Sequence, residues 1–74
     1  MSQLVRMDRT GHTTVAEWSV EDPESVEAAV RALRAELDQG YYAVVPVGEG
    51  QAEQVHELPL EAPLVILRRP IAGG

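Results

Sequence analysis

Few groups in this chain could do chemistry. The last seven residues, Arg68-Arg69-Pro70-Ile71-Ala72-Gly73-Gly74, place two cations, a rigid proline and a short apolar pair ahead of a diglycine. Glycine loses more backbone entropy on ordering than any other residue, so packing does not explain the pair. Either the end is frayed by accident, or a partner needs a slim, accessible carboxylate on Gly74. The remaining candidates are weaker. His12 and His56 are far apart in a chain with no cysteine, which does not make a zinc site. Glu49, Glu53, Glu57 and Glu61 recur every four residues and read as a solvated face. The only aromatics are Trp18, Tyr41 and Tyr42, expected mainly in packing, although an exposed member of the tyrosine pair would suit a partner surface. No nucleophile with an adjacent base and no phosphate loop is visible, so the chain is not expected to be an enzyme.

Composition narrows the classes further. Seventy-four residues make one small domain, and a chain of this size buries only about 60% of the surface its unfolded form exposes. Without cysteine there is no disulfide and no thiol nucleophile. No leader or long apolar run appears, so a cytoplasmic location is expected, with no membrane partner. Twelve acidic residues against six basic ones give a net charge of −6, which disfavours nucleic acid as a partner. All six basic residues are arginines. Arginine-only usage is what a GC-rich genome gives. It also leaves the N-terminus as the only amine, which matters if the protein is attached to amines.

The elements that would position the tail follow from local signals. Leu4-Val5-Arg6-Met7 and Thr13–Trp18 flank Asp8-Arg9-Thr10-Gly11-His12, which predicts an opening hairpin. Asp22 suits an N-cap and Pro23 the first helical position. Val26, Ala29, Val30, Leu33 and Leu37 then form one apolar stripe, with Gly40 at a C-terminal position. Together they predict a helix over about residues 23–39. Glu27 with Arg31, and Arg34 with Asp38, are spaced to pair on its outer side. A third strand is expected over 41–45, closed by Pro46 and Gly48-Glu49-Gly50, and a weaker fourth over 54–58, paired with it as a hairpin. The last is expected over 64–67, with nothing packable from Arg68 onward. The class is therefore α+β, with one helix lying across a mixed four- to five-stranded sheet in the order ββαββ(β).

In that order the chain resembles the β-grasp superfamily, and ubiquitin-like proteins in particular. The resemblance rests on three stretches: the hairpin "RTGHTTVAEW", the helix start "VEDPESVEAAV", and "LVILRRPIAGG", an apolar strand running into arginines and a diglycine. Together they cover about half the chain. The stretch from Gly40 to Pro63 does not match ubiquitin, so its recognition surfaces do not carry over. The apolar "PIAGG" ending is more similar to the sulfur-carrier branch serving thiamin and molybdopterin synthesis. The organisation implied is a β-grasp domain over 1–67 followed by a flexible tail over 68–74.

The resemblance implies chemistry at the tail, performed by partners. An activating enzyme would adenylate the Gly74 carboxylate with ATP, the chain itself holding no cofactor. Gly73 would give clearance in a narrow channel. Arg68 and Arg69 would be charged handles, and Pro70, Ile71 and Ala72 a stiff apolar lead for the same enzyme to grip. From the adenylate, a conjugating enzyme would pass the chain as a thioester to a target protein, with a protease to reverse the step. In the other branch a sulfur donor would leave Gly74 as a thiocarboxylate. A β-grasp module acting by surface contact alone is the third reading.

Overall fold

The computed structural model describes residues 1–70. Ile71, Ala72, Gly73 and Gly74, all expected to belong to the reactive tail, lie outside the described residues. The elements run β1 (Ser2–Asp8), β2 (Gly11–Trp18), α1 (Pro23–Asp38), β3 (Tyr42–Gly48), β4 (Gln51–Val55) and β5 (Leu64–Arg68). One sheet takes all five strands in the order β2-β1-β5-β3-β4. The central pair, β1 and β5, is parallel, and every other pairing is antiparallel. The fold is α+β, one helix on a five-stranded mixed sheet.

Local chemistry sets the boundaries. At the first turn Asp8 Oδ1 accepts from the Thr10 amide at 2.8 Å and the Thr10 hydroxyl at 2.7 Å. Gly11 then takes a φ of 125°, a backbone that side chains resist. Asp8 and Gly11 face each other, so the loop is two residues long. At the helix start Asp22 Oδ1 accepts from the amides of Glu24 and Ser25, with Pro23 filling the position that has no use for an amide hydrogen. The helix closes in a Schellman arrangement. Gly40, at φ 100°, donates its amide to the Leu37 carbonyl at 3.0 Å, and Tyr41 donates to that of Glu36 at 3.2 Å. That last bond fixes where Tyr41 begins the return to the sheet.

The strand registers sort side chains between two faces. Leu4 aligns with Val65, and Leu67 with Ala43. These four join Trp18 and the helix residues Ala29 and Leu33 in one buried cluster. A bulge opposite Leu4 and Val5 leaves Val15 unpaired, so that Val15 and Ala16 both pack against this cluster. Trp18 is fully buried, and its indole N–H donates to the Leu60 carbonyl at 3.1 Å, tying the 56–63 connection under the helix side. On the opposite face Val5, Ile66 and Val44 align across three strands with no helix over them.

The expected helix and first hairpin agree with these elements to within one or two residues. The middle strands differ. β3 continues through Pro46 to Gly48, and β4 lies at 51–55 instead of 54–58. Pro46 is tolerated because its strand is irregular there, with a register shift between Pro46 and Gly48. β4 is an edge strand with four of its five residues exposed, so it has no apolar alternation to announce it. Its position follows from the turn at Glu49-Gly50, where Gly50 adopts φ 68°. β5 reaches Arg68, one residue beyond the expected end. Among the described residues, no helix is long and apolar enough to cross a membrane.

Candidate functional site at the neck of the tail

Because β5 is central and parallel to β1, the chain leaves the sheet at the end where the β1–β2 turn and the C-terminus of α1 also lie. The last register positions divide the arginines. Arg68 faces Tyr42 across β5 and β3, on the side away from the helix. The next residue alternates to the helix side. There the Arg69 guanidinium lies 5.4 Å from the centre of the Tyr41 ring. Both tyrosines are half-buried, and Arg68, Arg69 and Pro70 are exposed.

A second cation reaches the same ring. Arg6, on the helix side of β1, places its guanidinium 5.9 Å from the Tyr41 centre. It donates through Nη1 to Glu36 Oε1 at 2.7 Å. Glu36 is only 4% exposed, and its other oxygen, Oε2, is buried without a hydrogen-bond partner. A carboxylate in that position is costly without an opposite charge, and Arg6 supplies it from the sheet. Glu36 thus holds Arg6 through its side chain and Tyr41 through its carbonyl. Four parts of the chain, α1, β1, the lead into β3 and the exit from β5, meet around one ring.

The charges elsewhere are simpler. Glu27 and Arg31 approach to 3.5 Å on the exposed side of the helix. The other expected helix pair, Arg34 with Asp38, does not form an ion pair among the described residues. Asp8 is held below the usual 3.8, first by the Thr10 hydroxyl and then by the Thr10 amide. Glu49, Glu53, Glu57 and Glu61 are exposed, as are His12 and His56. Among the described residues no three metal-ligating side chains converge. An open groove of about 330 Å³ runs between Val26, Val30 and Leu37 of α1 and Leu58 and Leu60 of the following connection. The neck residues do not line it.

Of the residues expected to matter, Tyr41 meets Arg69 and Tyr42 is in register with Arg68. Gly73, Gly74, Ile71 and Ala72 fall outside the described residues, and Pro70 ends them. Sequence reasoning overlooked Arg6 and Glu36. Each carried a signal, a charge set inside an apolar run: Arg6 between Val5 and Met7, and Glu36 three residues after Leu33 on the helix stripe. No protein-family model, curated protein or solved structure matches the chain.

Proposed function

We propose that this chain is a ubiquitin-like modifier of β-grasp fold, activated and transferred through the Gly74 carboxylate. The observation that carries the reading is the position of β5. The strand leading to the diglycine is held on both sides in the centre of the sheet, and the chain emerges from it through exposed Arg68, Arg69 and Pro70. A rigid body thereby carries a short lead to a carboxylate. The element order ββαβββ and the single helix on a mixed sheet support the same reading.

The chemistry belongs to partner enzymes. The Gly74 carboxylate attacks the α-phosphate of ATP and expels pyrophosphate, giving an acyl adenylate. A thiolate of the activating or conjugating enzyme then attacks the acyl carbon and expels AMP, giving a thioester. A target amine takes the acyl group, loses a proton and releases the thiol. Hydrosulfide attacking the same acyl carbon and expelling AMP would instead leave Gly74 as the thiocarboxylate of a sulfur carrier.

A second reading, a module acting by surface contact alone, draws on the uncovered Val5-Ile66-Val44 row. One experiment separates all three. N-terminally tagged protein, wild type and with Gly74 deleted, is expressed in the native host and followed by denaturing gel and intact mass. Higher-mass species that require Gly74 are expected for a modifier. A free chain with one oxygen replaced by sulfur would mean a carrier, and unmodified chain in both samples would leave surface contact.

A further inference from the structure

Two arginines stand side by side at the neck, and the fold treats them differently. Strand alternation sends Arg68 to the open side of the sheet, in register with Tyr42. It sends Arg69 to the helix side and onto Tyr41. Tyr41 is half-buried and anchored from two directions. Its backbone closes the helix through the Glu36 carbonyl, and Arg6, itself tied to Glu36, lies against it. A guanidinium stacked on an aromatic face is attracted by the ring quadrupole and keeps its N–H edge free.

We propose that Tyr41 is a positioning residue for the tail. By stacking on Tyr41, Arg69 clasps the neck to the junction of helix and sheet, so the chain beyond Pro70 departs from a fixed point on the helix side. Arg69 is then an internal fastener, and Arg68 is the arginine that a partner's carboxylates engage. This inference rests on the modifier reading for its consequence, while the clasp itself is a property of the free protein. Holding the exit in one place lowers the ordering cost of threading a tail into a partner's channel, since part of that freedom is already lost before binding.

The test uses the whole protein in four variants: Tyr41→Leu, Tyr41→Phe, Arg69→Gln and Arg68→Gln. The first readout is the proton NMR shift of the Arg69 side chain. An upfield ring-current shift is expected in wild type, Tyr41→Phe and Arg68→Gln, and its loss in Tyr41→Leu. Arg69→Gln leaves the body untouched and guards against misfolding of Tyr41→Leu, which the amide spectrum also reports. The second readout is the Gly74-dependent product in the native host. Tyr41→Leu and Arg69→Gln should each lower its rate of formation by about three-fold, the loss expected for one exposed cation–π contact. Tyr41→Phe should restore it. Arg68→Gln should weaken product formation without moving the Arg69 shift.

An Arg69 signal at the ordinary position in wild type would overturn the clasp. A ring-current shift lost in Tyr41→Leu with undiminished Gly74-dependent product would overturn the positioning role and leave the modifier reading standing. If wild type itself gives no Gly74-dependent product, the modifier reading fails and the positioning role falls with it, even where the stack is seen.

Discussion

The two faces of the sheet are built from similar side chains and end up in different environments. On the helix side Leu4, Ala43, Val65 and Leu67 are fully buried under α1. On the other side Val5, Ile66 and Val44 make an equally apolar row, yet only Val5 is buried, and it is shielded by its strand neighbours. One helix can cover one face. Among the described residues no second layer lies over the open face, so its apolar side chains are left partly in water. The row is flanked by polar Gln3, Thr14, Gln54 and Arg68 and also by Leu64, Tyr42 and Met7, so the open face mixes polar and apolar side chains.

Substitutions on each face should therefore differ in kind. The largest effect is expected for Trp18→Ala on the covered side, where a fully buried indole and its hydrogen bond to Leu60 are both removed. A loss of about 3–5 kcal/mol is expected in urea unfolding, near the whole stability of a domain this small. Ile66→Ser on the open side should cost about 1 kcal/mol in the same assay, because the side chain is already half in water. If Ile66→Ser proved as damaging as Trp18→Ala, the open face would be a second core and the comparison would fail.

The smallest effect belongs to a position outside both apolar faces. Asp8→Ala at the first turn should lower the urea midpoint slightly at neutral pH. The Asp8 carboxyl is held below 3.8 in the folded chain, so the folded state takes up a proton less readily than the unfolded one. Its stabilisation is complete above 3.8 and fades as pH falls through the folded value. The gap between wild type and Asp8→Ala should close over that acid range, and a gap that persists would show that the turn is held by something other than the charged carboxylate.

Legibility in the sequence followed how local the cause was. The first turn and the helix ends are settled by residues within four positions of one another, and Asp8, Gly11, Asp22, Pro23 and Gly40 announce them. β4 is settled by its pairing with β3, and an exposed edge strand carries no periodic mark. The site divides the same way. The arginines and the tyrosine pair stand out in the sequence, but which arginine meets which ring depends on the register of β5 against β3, some 26 residues apart between Tyr42 and Arg68. Arg6 and Glu36 find each other across 30 residues, and only their misplaced charges hinted at it.

The central place of β5 also governs how the chain reaches its fold. Before residues 64–68 have been synthesised, the β1–β2 and β3–β4 hairpins have no strand between them, because β1 and β3 do not pair. Each hairpin alone is marginal in water. The parallel pairing of β1 with β5 closes a loop of about sixty residues, a slow and late kind of contact. On a ribosome, the sheet can close only after β5 has cleared the exit tunnel, and residues 69–74 have been synthesised before that point. Residues 69–74 are thus made before the sheet that carries them closes, and a product cut short before β5 would keep its apolar strands exposed, where quality-control proteases can find them.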